Sequence, residues 1–290
     1  MPETHAPAEE LTVVSTGGAR LHTEVRGPAD APAVVLVHGW TCDTRFWRPL
    51  TRRLLPDHRV IAYDQRGHGR TPATPGSCSP EALADDLCAV LDAILEPGRR
   101  AVLAGHSMGA MTVVAAAGRP VLRERAAAAL LCSTGVDRLA GESTVLPLRP
   151  GRARLTGQRF LLGAAVPFGP VNPVARRLVH HITLGPAATP ELRDAVARMV
   201  LACPRRSRAE WGRVLAGLDL AHRAEALTLP VTLVHGSADR LTPPVHAHRL
   251  AARLPHVAGP HELPGIGHMT PVEAPDRIAE HLRALTKEHL

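Results

Sequence analysis

The chain has 290 residues, of which 45% are hydrophobic and 21% are charged, and its formal net charge is +7. This length and balance are typical of a globular protein with one large core and room for an insertion. Arginines along the whole chain carry the positive charge without forming a polybasic block, and Lys287 is the sole lysine. We therefore interpret the charge as a solvated surface and expect no nucleic-acid partner. No apolar run is long enough to cross a membrane, so we expect no membrane partner either.

The cysteine pattern bears on the compartment. Five cysteines form an odd set without a C-x-x-C pair or a zinc-ligand spacing: Cys42, Cys78, Cys88, Cys132 and Cys203. Such a set favours reduced thiols in a cytoplasmic protein. The acidic, proline-rich residues 1–10 lack the apolar segment of a secretory signal and predict a flexible tail. The histidines at 180–181 and at 246 and 248 have no carboxylate or cysteine at ligand spacing, so we predict no metal and no organic cofactor.

Strand and helix patterns alternate over most of the chain. Residues 11–15 and 20–25 flank Gly17 and Gly18 and predict a β-hairpin. Further strands are predicted at residues 33–37, 59–63, 102–105, 126–131, 229–235 and 258–263. Helices are predicted at residues 44–55, 79–95, 110–117, 244–254 and 271–285. Most of the strands are apolar without alternation, as in strands buried on both faces of a sheet. We therefore predict an α/β fold with a mostly parallel, eight-stranded sheet flanked by helices.

The alternation stops near Gly135. From there to residue 216 the pattern is helical, interrupted by prolines and glycines. The predicted segments are residues 152–163, 171–183, 190–202 and 206–218. We interpret residues 136–216 as a helical cap, or lid, inserted into one α/β core domain formed by residues 11–135 and 217–290.

The pentapeptide at residues 105–109, Gly-His-Ser-Met-Gly, stands between a predicted strand and a small-residue helix. Gly-x-Ser-x-Gly in a strand–turn–helix context is typical of a nucleophilic serine on a sharp turn. The glycines permit a strained bend that would raise the Ser107 hydroxyl above the carboxyl end of the strand. An ordinary turn between two buried elements is the alternative.

A nucleophilic serine needs a general base, and the base needs an orienting carboxylate. Asp239 follows a predicted strand by a short loop, and His268 stands in a glycine-flanked loop after the last predicted strand. The order Ser107, Asp239, His268 is the order of nucleophile, acid and histidine on one known scaffold. Asp137, after the strand at 126–131, is a second candidate for the acid. Asp239 would otherwise cap the turn before Pro243.

Five features in register resemble the α/β-hydrolase superfamily, in its capped, esterase-like and perhydrolase-like branch. They are His38-Gly39, the turn Asp64-x-Arg66-Gly67-x-Gly69, the serine pentapeptide, Gly-x-x-Asp239 and Gly-His268. The resemblance extends from Leu11 to Leu285. It implies Ser107 as nucleophile, His268 as general base and acid, and Asp239 as its orienting carboxylate. It also implies an oxyanion hole made by the backbone N–H groups of Trp40 and Met108.

Other polar residues near these motifs are interpreted as structural. We expect His38 to hold the oxyanion loop, His106 to pack beside the serine turn, and Asp64 and Arg66 to form a turn network. Relatives of this fold that dehalogenate or open epoxides use an aspartate nucleophile. A serine at position 107 instead implies acyl transfer.

Few aromatic residues are present, and we expect Trp40, Phe160, Phe168 and Trp211 to line a hydrophobic substrate pocket. The resulting prediction is a serine hydrolase that cleaves a small, hydrophobic carboxylic ester or related acyl substrate through an acyl-enzyme. Several alternatives stay open on the same scaffold. They are lactone, thioester or carbon–carbon bond hydrolysis, perhydrolysis or acyl transfer, and a non-hydrolytic receptor or cyclase.

Overall fold

The computed structural model describes residues 8–74, 76–165 and 171–290. Its strands are β1 (Glu9–Val14), β2 (Arg20–Arg26), β3 (Ala33–Val37), β4 (Arg59–Tyr63), β5 (Ala101–His106), β6 (Ala126–Cys132), β7 (Val231–Gly236) and β8 (Val257–Leu263). They form one sheet in the order β1-β2-β4-β3-β5-β6-β7-β8. β2 is antiparallel to β1 and to β4, and every other neighbouring pair is parallel. The predicted eight-stranded, mostly parallel sheet is confirmed.

The α-helices of the described residues lie between these strands and after the last of them. They are α1 (Arg48–Leu54), α2 (Pro80–Ile94), α3 (Met108–Ala115), α4 (Pro120–Arg125), α5 (Leu139–Glu142), α6 (Arg152–Gly163), α7 (Pro173–Thr183), α8 (Pro190–Ala202), α9 (Arg205–Ala216), α10 (Ala221–Glu225), α11 (Val245–Ala251), α12 (Thr270–Glu273) and α13 (Pro275–His289). None of them is long and apolar enough to span a membrane.

Two of the predicted boundaries that differ from the structure have a local explanation. β1 begins at Glu9, where Glu9 pairs with Val25 of β2, so the strand includes the last two residues of the predicted tail. The helix predicted at 44–55 begins as a 3-10 turn over Thr44–Trp47 and becomes α-helical only in α1. Asp43 caps that turn, since its side chain accepts a hydrogen bond from the Arg45 amide. Such a cap fixes where the chain starts to coil.

Both faces of the sheet are covered by helices. Along β3, Val35 belongs to the apolar cluster that includes α2 and α3, whereas its neighbour Val34 belongs to the cluster that includes α1 and α13. Successive strand residues point to opposite faces, which explains this division. Because both sets are buried, the strand is apolar throughout and does not alternate with polar residues.

The segment predicted as the cap lies between β6 and β7 and contains α5 to α9. The predicted helices at 152–163 and 190–202 match α6 and α8, and the structure adds the short α5. α9 packs on the core through two indoles: Trp40 Nε1 donates to the Arg208 carbonyl, and Trp211 Nε1 donates to the Arg66 carbonyl, both at 3.0 Å. A Cβ at Gly212 would lie 1.8 Å from the Leu162 carbonyl oxygen, so only glycine allows α6 to cross α9 this closely.

Buried histidines give folding a defined pH dependence. Burial lowers the pKa of His38, His68, His106 and His246, to about 3 for His68 and about 4 for His246. Below about pH 6.5 the unfolded chain binds protons at these side chains and the folded chain does not. We therefore expect the free energy of unfolding to decrease from about pH 7.5 to about pH 5.5, by at most on the order of 1 kcal/mol per pH unit for each histidine.

Urea unfolding at these two pH values measures the effect. The variant His246→Leu removes one of the four imidazoles. Both ring nitrogens of His246 lack a hydrogen-bond partner among the described residues, so the substitution breaks no hydrogen bond there. This variant should lose a smaller share of its stability on acidification. Equal stability of the parent protein at both pH values would contradict the assignment of four neutral histidines.

Candidate active site

Ser107 occupies a strained turn between β5 and α3. Its backbone has φ +52° and ψ −116°, a conformation that non-glycine residues rarely adopt. A Cβ at Gly109 would lie 1.9 Å from the Val37 carbonyl oxygen, and one at Gly105 would lie 2.6 Å from the Ala110 Cα. Glycine is therefore required on both sides of the serine. The turn places Ser107 at the carboxyl edge of the sheet, as the pentapeptide predicted.

Two distant loops bring an imidazole and a carboxylate to this serine. His268 Nε2 lies 3.0 Å from Ser107 Oγ, and His268 Nδ1 lies 2.8 Å from Asp239 Oδ2. All three residues are buried, and Ser107 is the most exposed at 8%. The three side chains form one continuous hydrogen-bonded series in the predicted order. This geometry allows proton transfer from the hydroxyl to the imidazole.

The Asp239 carboxylate is held by four neighbours. Oδ1 accepts hydrogen bonds from the amides of Leu241 and Thr242, at 2.9 and 3.0 Å. Oδ2 accepts from Thr242 Oγ1 at 2.9 Å, and His235 Nε2 lies 3.4 Å from it. Burial alone would raise the pKa of Asp239, but His268 and His235 lower it below its ordinary value. The carboxylate stays ionised and accepts the Nδ1–H of His268.

The second candidate acid is not brought to the site. Asp137 Oδ2 lies 3.7 Å from a guanidinium nitrogen of Arg253, and within the described chain it makes no hydrogen bond to His268. Asp239 is therefore the acid in contact with the imidazole. It also caps its own loop, so the two interpretations of this residue are compatible.

The loop carrying His268 is held by Glu273, which the sequence analysis did not single out. The Glu273 carboxylate accepts hydrogen bonds from the amides of Gly185, Gly267 and Met269, at 2.7 to 3.2 Å. The His268 amide in turn donates to the Thr183 carbonyl at 2.9 Å. Burial raises the pKa of Glu273, while these amides lower it. No local motif marks this glutamate, because one of its partners, Gly185, lies in the distant segment between β6 and β7.

The loop after β3 is held by a second polar network. His38 Nδ1 donates to the Gly39 carbonyl at 2.8 Å, and the Gln65 amide donates to His38 Nε2 at 3.0 Å. The Gln65 side chain donates to the His38 carbonyl and accepts from Thr112 Oγ1. Gln65 is another residue that sequence reasoning missed. The network ties the loop to the turn after β4 and to α3, in agreement with a structural role for His38.

Two backbone N–H groups beside Ser107 remain unused. Across the described ranges, neither the Trp40 amide nor the Met108 amide donates a hydrogen bond. Met108 opens α3, where the first N–H groups have no carbonyl partner one turn earlier. Trp40 and Ser107 line the same cavity. Both predicted oxyanion donors are thus available to an acceptor at the serine.

The remaining residues interpreted as structural are bonded within the fold. Asp64 accepts from the amides of Thr44 and Arg70, at 2.7 and 2.8 Å. Arg66 forms a buried, two-point ion pair with Asp86. His106 Nε2 donates to the His268 carbonyl at 2.9 Å, and burial lowers the pKa of His106 well below its usual value. A neutral His106 supports the backbone behind His268.

A cavity of about 420 Å³ opens at Ser107 and His268, between the carboxyl edge of the sheet and the helices that lie between β6 and β7. Apolar side chains form most of its wall, among them Trp40, Met111, Leu139, Leu146, Leu162 and Val179. Polar side chains join at several points, among them Gln158, Asn172, His181 and Arg208. An apolar wall with few polar groups is typical of a small-molecule site.

Two of the four predicted aromatic wall residues are misplaced in the sequence analysis. Trp40 lines the cavity, but Phe160 lies on the outer side of α6 and is 68% exposed. Trp211 is fully buried because its indole packs between α9 and the core. Phe168 lies outside the described residues. Helix periodicity alone did not reveal which side of each cap helix would meet the cavity.

One group of potential metal ligands occurs among the described residues. Glu10, His22 and Glu24 bring their ligand atoms within 4.8 Å of one another. Arg70 pairs with both glutamates, and Arg26 pairs with Glu24. These guanidinium groups already balance the carboxylates, so the group is accounted for as a surface ion-pair network.

Known proteins resemble this chain in sequence. A family model described as the alpha/beta hydrolase family matches residues 34–281. A putative carbamate hydrolase from Variovorax paradoxus is 46% identical over 93 residues, which are 31% of this chain and 34% of that protein. The chain thus matches only about a third of the length of this relative. A non-heme chloroperoxidase from Streptomyces lividans is 26% identical over 84% of this chain and 87% of its own length.

A solved structure also resembles the whole chain. A thermophilic esterase from Thermogutta terrifontis superimposes with a TM-score of 0.78 and 27% sequence identity. The superposition covers 98% of this chain and 100% of the esterase. The likeness therefore includes both the sheet and the helices between β6 and β7.

Proposed function

The chain belongs to the alpha/beta hydrolase family, and we propose that it is a serine hydrolase that cleaves a carboxylic ester or a related acyl compound. One observation carries this proposal: the hydrogen-bonded series from Ser107 Oγ through His268 to Asp239, at 3.0 and 2.8 Å. Such a series activates a serine hydroxyl as a nucleophile. The family match and the esterase with the same overall fold support a hydrolytic reaction.

The proposed reaction has two halves. Ser107 Oγ attacks the acyl carbon while His268 Nε2 takes the hydroxyl proton, and Asp239 stabilises the imidazolium. The amides of Trp40 and Met108 donate to the developing oxyanion, at roughly 3 kcal/mol for each donor. The tetrahedral intermediate collapses as His268 returns the proton to the leaving alcohol. Water, deprotonated by His268, then attacks the acyl-enzyme and releases the acid.

The cavity supports a small, mainly apolar acyl or alcohol group as the substrate. Apolar side chains such as Trp40 and Val179 form most of its wall, and burying apolar surface there contributes roughly 25 cal/mol per Å². The free thiols of all five cysteines favour a cytoplasmic location. The proposed reaction uses side chains and backbone amides of the chain alone.

A second candidate activity is perhydrolysis, in which peroxide replaces water as the acceptor of the acyl group. The similarity to a non-heme chloroperoxidase over most of both chains supports it. This reaction would use the same serine, histidine and aspartate. Halogenation that depends on peroxide and on a short carboxylic acid would distinguish it from simple hydrolysis.

A substrate panel tests the proposed function and the cavity together. We expect kcat/KM for p-nitrophenyl esters to rise with acyl length until the cavity is filled, by up to about threefold to fourfold per methylene, because each buried CH₂ contributes about 0.8 kcal/mol. Matched lactones and thioesters form the comparison set. A flat profile across acyl lengths would contradict the apolar acyl site, and a preference for lactone or thioester would redefine the substrate class.

A further inference from the structure

The net positive charge of the chain resides in the cap. Residues 136–216 contain thirteen arginines and five acidic residues, whereas the rest of the chain contains twenty-one basic and twenty-two acidic residues. The cap therefore carries an excess of eight positive charges, and the core is almost neutral. Arginines occur along the whole chain, as the sequence analysis notes, but their excess over acidic residues lies in this segment. So uneven a distribution gives the cap a local electrostatic potential.

Four arginines between residues 149 and 177 are exposed without a carboxylate partner in the described chain. Within the described ranges, no Asp or Glu lies within ion-pair distance of Arg149, Arg152, Arg159 or Arg177. Other cap arginines are neutralised locally, as where Asp194 pairs with both Arg176 and Arg198. The four unpaired guanidinium groups are available to an anionic partner.

Exposed apolar side chains stand beside these arginines. Leu148, Phe160, Leu161, Val174 and Leu178 are each between 44% and 77% exposed. With the four unpaired arginines they form a surface that we name the cap rim: Leu148, Arg149, Arg152, Arg159, Phe160, Leu161, Val174, Arg177 and Leu178. Clustered apolar exposure of this kind marks an interaction surface.

Part of the cap rim lies at the mouth of the cavity. Leu161, Val174 and Leu178 are exposed and also line the cavity that contains Ser107, so they lie where the cavity meets solvent. Arg177 follows Val174 by three residues in α7, and Arg159 precedes Leu162 by three residues in α6, so each arginine shares a side of its helix with a residue that lines the cavity. Charged and apolar groups thus meet at the entrance to the site.

We propose that the cap rim docks on an anionic lipid surface, from which acyl substrates enter the cavity. Arginine forks bind phosphate groups through two hydrogen bonds, and neighbouring apolar side chains enter the boundary between headgroups and acyl chains. The exposed apolar side chains continue into the apolar wall, so an acyl chain passes inward without crossing water. The part of this proposal that concerns substrate entry rests on the proposed hydrolase function.

Other occupants fit the cap rim less well. A second copy of the chain would bring four unpaired arginines against their own kind, which opposes self-association. A nucleic acid would neutralise the arginines but leave the five apolar side chains without a partner. An acidic protein would satisfy the charges but cover the mouth of the cavity. The lipid surface satisfies the charges and the apolar groups together.

Vesicle sedimentation tests docking without any turnover. We expect the full-length protein to bind phosphatidylglycerol-containing vesicles, and to bind pure phosphatidylcholine vesicles weakly. The variant Arg159→Gln/Arg177→Gln should bind the anionic vesicles at least about tenfold more weakly, because each arginine near such a surface contributes about 1 kcal/mol, or about fivefold. Added salt should weaken binding of the parent protein more than binding of this variant.

A matched control distinguishes the effect of the cap-rim arginines from the effect of lowering the net charge by two elsewhere on the protein. Arg52 in α1 and Arg123 in α4 are also exposed and without an ion pair in the described chain, and both helices lead into the amino ends of strands, away from the cap. The variant Arg52→Gln/Arg123→Gln should bind vesicles like the parent protein. Both double variants should hydrolyse a monomeric, short-chain ester at the parental rate. Phe160→Ser should weaken vesicle binding without changing that rate.

Three results would overturn the proposal. They are absence of binding to anionic vesicles, equal weakening in both double variants, and retention on immobilised polyglutamate without vesicle binding, which would indicate an acidic protein partner. Failure of ester hydrolysis with intact vesicle binding would instead overturn the proposed function and leave the docking surface in place. The two proposals are thereby tested separately.

Discussion

Substitution of Ser107 by alanine is expected to lower kcat for ester hydrolysis by at least about 10⁴-fold. Among the described residues, the Ser107 hydroxyl is the only group in contact with His268 Nε2 that can form an acyl-enzyme. Alanine keeps the Cβ and therefore leaves the strain at φ +52° unchanged, so the fold should persist. The measurement is steady-state kinetics, combined with intact-mass detection of a fluorophosphonate adduct. The parent protein should gain one adduct and the variant none.

A neighbouring serine provides the control for labelling. Ser133 lies at the end of β6 and is fully buried, with its hydroxyl bonded to Thr270 at 3.1 Å. The variant Ser133→Ala should keep the adduct at Ser107. A receptor or cyclase that uses the scaffold without hydrolysis would keep its function in Ser107→Ala, and that outcome would contradict the proposed mechanism.

Asp239→Asn is expected to lower kcat by about 10³- to 10⁴-fold while preserving the fold. Asparagine keeps an oxygen for the amides of Leu241 and Thr242, but it places an NH₂ group against His268 Nδ1. The imidazole then carries its proton on Nε2 and donates to Ser107 instead of accepting from it. Kinetics near neutral pH measure the loss, and urea unfolding checks that stability is retained.

The competing acid supplies a matched control for this experiment. Asp137→Asn removes the carboxylate that faces Arg253 and leaves His268 untouched, so kcat should stay within about twofold of the parent value. If Asp137→Asn abolished activity and Asp239→Asn did not, the acid would be assigned wrongly. The pair of variants therefore decides between the two aspartates that the sequence left open.

The turn at Ser107 could be predicted from the sequence because its steric requirements are local. A side chain at Gly105 or Gly109 would collide with atoms a few residues away or in the adjacent strand. The pentapeptide therefore shows that glycine is required at both positions. The loops with Asp239 and His268 were found by their positions after predicted strands, since parallel strands place their carboxyl ends at one edge of a sheet. The 3.0 and 2.8 Å contacts, however, required the assembled sheet.

The roles of Glu273 and Gln65, which hold the loops of the site, could not be predicted from the sequence. Glu273 bonds amides of its own loop and of the cap segment at Gly185, and Gln65 joins the loop after β3 to α3. Each partner set is dispersed along the chain. A glutamate or glutamine with such partners has the same appearance in the sequence as a solvated one. Only packing of the elements defines which acceptor meets which donor.

The sequence alone thus determined the class of fold, the mostly parallel sheet, the serine turn and the order of its candidate partners. These depend on hydrophobic periodicity and on backbone requirements within a few residues. The tertiary structure decided where the predicted aromatic wall residues lie, placing Phe160 outside, Trp211 in the core and Trp40 in the cavity wall. It also left Leu161, Val174 and Leu178 exposed where the cavity meets solvent. The physical reason is that contacts between distant segments depend on how helices and loops pack, which local pattern does not encode.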